Sequence, residues 1–169
     1  RCWLTARRFA CARSAAPRSE RGGGNRNDAN HISGPSRTGE GLYNAIQNAV
    51  KEVDLSKLAF INAHGTATPY NDDMESWAIE RSGLANVPVN SLKGYFGHTL
   101  GAAGILECII SAYAVADNTL LGTMGHEPFG VAKNITINKE SKTCCNPMFL
   151  KIISGFGGSN AAICFEKLG

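Results

Sequence analysis

The chain has 169 residues, enough for one ordinary globular domain, and its 43% hydrophobic content and 19 glycines fit an α/β body with many tight turns. The formal net charge of +3 arises wholly in residues 1–26, where seven arginines face only Glu20; residues 27–169 hold ten Lys/Arg against thirteen Asp/Glu, with no basic stripe to suggest nucleic acid. No apolar run is long enough for a membrane span, and no secretory signal with a long apolar core is present.

The opening stretch, "RCWLTARRFACARSAAPRSERGGGNR", is rich in Arg, Ala and Ser and nearly free of acid. A transit peptide has that composition, but no clear amphipathic period runs through it. Residues 1–26 are therefore read as a disordered or non-native segment, and residues 27–169 as the folded domain. The expected location is cytoplasmic, or organellar if the opening stretch is a transit peptide.

"NDANHISGPSRTGEG" (27–41) reads as a polar, turn-rich loop. Leu42, Ile46, Ala49, Val50 and Val53 recur at helical spacing and predict a helix over about 39–53. The apolar run at 58–62 predicts a buried strand. "NDDMESWAIERSG" predicts a second helix, capped by Asn71 or Asp72 and ended by Gly83. A strand is expected over 86–91, then a loop over "LKGYFGH". "TLGAAGILECIISAYAVADN" predicts a long apolar helix, and Gly101 and Gly104 make sense there if it packs very close to another backbone. Residues 117–147 look irregular, with short strands near 119–121 and 135–137. "MFLKIISGFGGSNAAICFEK" predicts two strands joined by a Gly-rich turn. The order α-β-α-β-α-β-β is that of a layered α/β arrangement.

Six cysteines stand at 2, 11, 108, 144, 145 and 164, none in Cys-x-x-Cys spacing. Cys108 and Cys164 fall within apolar runs and read as buried thiols in a reduced setting.

Three stretches put polar residues at the end of an apolar element: His64-Gly65-Thr66-Ala67-Thr68, Lys93 to His98, and Gly155 to Gly158. The plain readings are a loop histidine, a solvated lysine, a hairpin turn, and an N-terminal capping pair made by Asp72 and Glu75. A phosphate site does not fit, because "GFGGSN" is not Gly-x-Gly-x-x-Gly and "GHTLGAAG" lacks the lysine of a phosphate loop. A zinc site on His64, His98 and a carboxylate lacks the short ligand spacing of common metal motifs, so no metal is expected.

The functional reading rests on the constellation. A neutral imidazole donates one N–H. Two such donors, fixed in a dry cleft, can hold an oxyanion or enolate oxygen. Lys93, five residues before His98, can fix that ring, with Asp72 or Glu75 as its counter-charge. The hydroxyls of Thr66 and Thr68 can bind an amide-bearing arm, and Phe156, flanked by glycines, can swing as a gate.

At these residues the sequence resembles the β-ketoacyl-acyl carrier protein synthases, the condensing enzymes of KAS I/II type. "NAHGTATPYNDDMES" is similar to their His-Gly-Thr-x-Thr-x-x-x-Asp-x-x-Glu motif. "SLKGYFGHTLGAAG" is similar to Lys-x-x-x-x-Gly-His-x-x-Gly-Ala-Ala-Gly, "SGFGGSNAAICFE" to the closing Gly-Phe-Gly-Gly-x-Asn segment, and "NDANHISGPSRTGEG" to a loop beside the pocket mouth. Four matches occur in the family's order, from about 27 to 168.

The resemblance implies a thiolase-like fold, here the C-terminal half of its layered αβαβα architecture. It implies fatty-acid or polyketide synthesis by decarboxylative condensation of malonyl-carrier with an acyl thioester. His64 and His98 would assist decarboxylation, with Lys93 beside them and Asp72 and Glu75 in its support network. Thr66 and Thr68 would contact the phosphopantetheine arm of the acyl carrier protein, which carries the substrate; no bound cofactor is implied. Phe156 would be the gate, and Asp28 and His31 would lie in the facing mobile loop. The implied partners are the acyl carrier protein, the N-terminal ketosynthase half and, in the parent enzyme, a second copy.

The sequence also departs from the family. Ile153 and Ser154 replace the residues usual just before the Gly-Phe-Gly-Gly turn. The family's nucleophilic cysteine sits in a small-residue turn, and Cys11 in "FACARSA", beside Phe9 and Arg13, does not match it. The chain alone is thus expected to be inactive. The alternative is a non-catalytic ketosynthase-like fragment or partner subunit.

Overall fold

A computed structural model describes residues 18–127 and 130–167. Seven strands occur among them: β1 (Arg18–Asn27), β2 (Leu58–Asn62), β3 (Val89–Asn90), β4 (Thr119–Leu120), β5 (Lys142–Thr143), β6 (Met148–Gly155) and β7 (Ser159–Lys167). The helices are α1 (Glu40–Val50), α2 (Pro69–Arg81), the single turn α3 (Lys93–Phe96) and α4 (Ala103–Ala116). Five strands form one mixed sheet in the order β1-β7-β6-β2-β3. β2 is parallel to both β3 and β6, whereas β7 runs antiparallel to β6 and β1. β4 and β5 pair separately.

Both faces of the sheet are covered, which is why β2 and β6 read as continuous apolar runs rather than as alternating ones. Met148, Leu150 and Ile152 pack on one side with Leu42, Ala45, Ile46 and Ala49 of α1 and Met74, Ala78 and Ile79 of α2. Phe149 packs on the other side with Phe60 and with Ala114 and Val115 of α4. Successive strand side chains point to opposite faces, so Lys151 joins Phe149 on the α4 side. No helix among the described residues is long and apolar enough to cross a membrane.

Several boundaries differ from the sequence expectation. α1 stops at Val50, and a 3₁₀ turn at Leu55–Lys57 follows. The strand expected over 86–91 shrinks to Val89–Asn90, and Ile137 meets it only as an isolated bridge, while Lys142–Thr143 pairs with Thr119–Leu120. The loop "LKGYFGH" contains a helical turn, α3. α2 begins at Pro69, earlier than expected, because proline suits the first helical position; Thr68 occupies the cap. Gly101 and Gly104 do not mark a close backbone approach: a Cβ at Gly101 would meet nothing within 4 Å, and one at Gly104 only the Ile153 Cδ1 at 3.4 Å.

The close approach lies elsewhere, in a stretch read as disordered. Residues 18–27 form edge strand β1, which pairs with β7 from Arg18↔Lys167 to Asn27↔Ser159. A Cβ on Gly22 would stand 2.2 Å from the Ala49 carbonyl oxygen, and one on Gly24 2.3 Å from that of Ala45. The glycines let α1 lie directly on the strand, so a composition that resembles a linker here serves packing. Residues 1–17, with Cys2 and Cys11, fall outside the described residues.

Candidate active site

β2 ends at Asn62, and two residues later His64 stands where the strand has given out. The His64 side chain is buried, with the residue 6% exposed. His98 follows α3 on an exposed loop. The two imidazoles meet edge to face, with ring centroids 5.1 Å apart and planes at 83°. The sheet and α3 thus bring together two histidines that are 34 positions apart in sequence.

A hydrogen bond sets the tautomer of His98 alone. The Leu100 amide donates to His98 Nδ1 at 3.1 Å, which leaves the proton of the neutral ring on Nε2. His64 Nδ1 is buried with no hydrogen-bond partner among the described residues. Burial is the main reason the His64 imidazolium is disfavoured; Lys93, Lys151 and His98 add to it, and the pKa falls to about 3. At neutral pH His64 is an uncharged ring.

Glu75 is buried on α2, and its carboxylate accepts the amides of His64 at 2.7 Å and Gly65 at 2.8 Å and the Asn71 side-chain amide at 2.9 Å. It therefore fixes the His64 loop and does not act as a helix cap, as the capping-pair reading would have it. Burial pushes its pKa up to about 7 against the pull of those two backbone amides. Asp72 is raised chiefly by burial, with Asn71 and the amides of Thr66 and Ala67 opposing.

Lys93 is tied differently from expectation. Its ammonium donates to the His64 carbonyl and to Glu107 Oε1, the latter at 2.7 Å. The counter-charge is Glu107, and the histidine that Lys93 holds is His64, where the sequence reading gave it Asp72 or Glu75 and His98. Glu107, fully buried in α4, also accepts from Lys151. Lys151 donates further to Asn62 Oδ1 at 2.7 Å and to the Ala63 carbonyl at 3.0 Å. Sequence reasoning missed Glu107 and Lys151, although a signal existed. A lysine inside "FLKII" and a glutamate inside "ILECII" each interrupt an apolar run, and buried charges need partners.

A cavity of about 740 Å³ opens at the histidines. His64, His98, Thr66, Thr68, Phe156 and Asp28 line it, whereas His31 does not. The Thr66 and Thr68 hydroxyls bond each other at 2.7 Å. Phe156 is 82% exposed on a 3₁₀ turn over Phe156–Gly158. Asp28 is a clamp: its carboxylate accepts the Gly41 amide at the start of α1 and the Asn160 side-chain amide, each at 2.9 Å. His31 turns inward on its own loop, with Nδ1 accepting the Ser33 and Gly34 amides at 3.2 and 3.1 Å.

The arrangement sets two imidazole rings at one wall of an open cavity, each carrying an N–H donor. That is the geometry for stabilising a developing negative charge on oxygen.

Residues 21–127 match the family described as "Beta-ketoacyl synthase, C-terminal domain". A relative from Schizosaccharomyces pombe that carries the provisional name of a mitochondrial 3-oxoacyl-(acyl-carrier-protein) synthase is 36% identical over 83% of this chain and 35% of its own length. The 3-oxoacyl-(acyl-carrier-protein) synthase 2 of Rhizobium meliloti is 35% identical over 83% of this chain and 34% of its own. A ketosynthase from Xenorhabdus doucetiae, solved with its chain length factor, superposes with a TM-score of 0.82 at 29% identity, covering 90% of this chain and 39% of that one. The chain thus spans about a third of the length of the curated relatives it matches.

Proposed function

This chain belongs to the β-ketoacyl synthase family through its C-terminal domain, with a thiolase-like fold, and from that membership we propose that it supplies the histidine half of a condensing acyltransferase. The observation that carries the reading is the edge-to-face pair of His64 and His98, with ring centroids 5.1 Å apart on the cavity wall.

In this reading the substrate is a malonyl thioester on the phosphopantetheine arm of an acyl carrier protein. Loss of carbon dioxide leaves an enolate at the thioester carbonyl. The Nε2–H of His98 and the N–H of the His64 ring donate to that oxygen as charge gathers on it. The enolate carbon then attacks an acyl group held as a thioester on a cysteine, the carbon–carbon bond forms, and the cysteine leaves as thiolate. That cysteine would come from the part of the enzyme these residues do not span: no cysteine lines the cavity among the described residues. Cys164 is buried, and burial pushes its thiol up to about 12, far from a nucleophile's range.

Lys93, Asp72 and Glu75 are assigned to holding the His64 loop. Thr66 and Thr68 are assigned to the amides of the arm, Phe156 to gating, and Asp28 and His31 to the loop that faces it. A second copy would complete the parent enzyme. Fatty-acid and polyketide synthesis both fit this chemistry. The provisional name of the Schizosaccharomyces pombe relative fits the organellar option beside the cytoplasmic one. A non-catalytic partner subunit is the alternative, and retention of both imidazoles with a defined Nε2 donor on His98 favours catalysis.

The test joins this chain to a cysteine-bearing N-terminal half and measures carbon dioxide release from malonyl-acyl carrier protein. Replacing His64 or His98 by Ala should slow release by about 10²–10³ while sparing acyl transfer to the cysteine to a greater degree. A loss below about threefold for both variants would remove the enolate-stabilising role, being far under that range. The chain alone should take no label from an acyl-carrier thioester.

A further inference from the structure

Three neighbouring strands carry buried polar side chains in one row: Lys151 on β6 stands in register with Asn62 on β2, which stands in register with Asn90 on β3. The row is continuous. Asn62 donates to Asn90 Oδ1 at 2.9 Å, and Asn90 donates to the Leu121 carbonyl at 3.0 Å. Lys151 closes it at the other end and turns toward α4, where it shares Glu107 with Lys93. At 2% exposure this lysine has no access to water to explain its presence. A long apolar side chain would fill the same space without the cost of burying a charge.

We propose that Lys151 is a positioning residue of the histidine site: it fixes the end of β2 that carries His64, and with Lys93 it governs the charge around that ring. The inference rests on reading His64 as an oxyanion donor, and it concerns how that donor is held.

The first half of the claim is geometric. Lys151 donates to the Asn62 side chain at 2.7 Å, to the Asn62 carbonyl at 3.4 Å and to the Ala63 carbonyl at 3.0 Å. Lys93 donates to the next carbonyl along, that of His64. Two ammonium groups thus grip three successive carbonyls that lead into the histidine, and one carboxylate locks the two together. Glu75 takes the amides of His64 and Gly65. The backbone of residue 64 is held at both ends.

The second half concerns charge. The ionisable groups near His64 are Lys93 on α3, Lys151 on β6, His98 on its loop, Glu107 on α4, and Glu75 and Asp72 on α2. Glu107 is shared between two lysines; burial lowers the Lys151 pKa, the Glu107 carboxylate against it opposes that, and the four acceptor oxygens around its nitrogen call for the ammonium form. Lys93 and Lys151 both oppose protonation of His64, after burial itself. A neutral ring can donate without carrying a proton that would quench the enolate carbon. It also avoids a third cation beside Lys93 and Lys151.

The test is made on the full chain with ¹⁵N-labelled histidine, following each imidazole by long-range ¹H–¹⁵N correlation across the histidine titration range. His64→Gln and His98→Gln spectra assign the rings. In the wild type His64 should stay neutral where exposed histidines have titrated. Lys151→Met should raise its midpoint by about one unit or more, a tenfold rise in the protonated-to-neutral ratio. Lys151→Arg keeps the charge and the donors and should leave the midpoint in place. An unshifted Met variant, or an Arg variant that shifts as far as Met, would overturn the proposal. If the Met variant does not fold, Lys151→Gln, which removes the charge and keeps a donor, takes its place, and an unshifted His64 midpoint in that variant overturns the proposal equally. No acyl carrier, cysteine or turnover enters the measurement, so failure of the condensing reading and failure of this one are separately visible.

Discussion

Glu75 and Lys93 take opposite ends of one residue: the carboxylate accepts the His64 amide at 2.7 Å, and the ammonium donates to the His64 carbonyl. The charge on Lys93 is met by Glu107, which also meets Lys151. Glu107→Gln should therefore be the most damaging single change in the network, at about 3–5 kcal/mol, because it leaves two buried lysines without a counter-charge. Adding Lys93→Met should recover part of that loss, a coupling of about 1–3 kcal/mol, whereas Lys93→Met with Glu75→Gln should come closer to additive. Urea unfolding of the three single and two double variants measures both cycles. Stronger coupling of Lys93 to Glu75 than to Glu107 would restore the direct ion pair expected from sequence.

Glu75→Gln separates a loop clamp from a helix cap. A glutamine completes a capping box as well as a glutamate does, so a pure cap would lose little. The clamp accepts two backbone amides on two carboxylate oxygens. Glutamine offers one oxygen and turns an N–H toward the other amide, which costs about 1–3 kcal/mol for the unpaired donor. An unfolding curve indistinguishable from wild type would return Glu75 to the capping role.

Two of the shifted groups at this site, Glu75 and His64, have opposite effects on stability as pH changes. Glu75 goes from an ordinary 4.5 to about 7 in the fold, so the folded state binds the extra proton; its contribution is present below 4.5 and lost as pH rises through about 7. His64 goes from 6.5 to about 3, so the unfolded state binds the extra proton; its contribution is present above 6.5 and lost as pH falls toward 3. Between 4.5 and 6.5 the slopes oppose each other and cancel. His64→Gln should uncover a decline in stability from pH 4.5 to 7, and Glu75→Gln a rise from pH 3 to 6.5. Each slope is about 1.4 kcal/mol per pH unit at most, one proton's worth. Unfolding midpoints across pH, compared as differences from wild type, provide the check. Parallel curves for all three proteins would mean that neither group is shifted.

The catalytic-looking residues were legible because motif residues at strand ends signal a site before any contact is known. His64 ends the apolar run 58–62, and that strand appears at those residues. The wiring was not legible. Period-two alternation could place Lys151 on one face of β6, but nothing in sequence says that Glu107, 44 positions earlier, lies beneath that face. Choosing the partner of Lys93 needs the crossing of α4 over the sheet, a tertiary fact. Local composition misled most at β1, where glycines that lower strand propensity are the condition for α1 to approach.

That strand gives the last prediction. Successive residues of β1 face opposite sides of the sheet. Gly22 and Gly24 face α1, where an added Cβ would stand 2.2 Å and 2.3 Å from backbone carbonyl oxygens that cannot give way. Gly23 faces away, and its added Cβ would meet the end of the flexible Glu20 side chain at 3.0 Å. Gly22→Ala and Gly24→Ala should each cost about 1–3 kcal/mol by overpacking. Gly23→Ala should fall within about 0.5 kcal/mol of wild type, as surface changes do. The alternation is the diagnostic part. A segment outside the fold would tolerate all three equally, and a generic loss of glycine flexibility would affect all three alike. Only a strand pressed against a helix separates the outer pair from the middle one. Denaturation midpoints of the three alanine variants decide the matter, and equal midpoints would place residues 18–27 outside the domain.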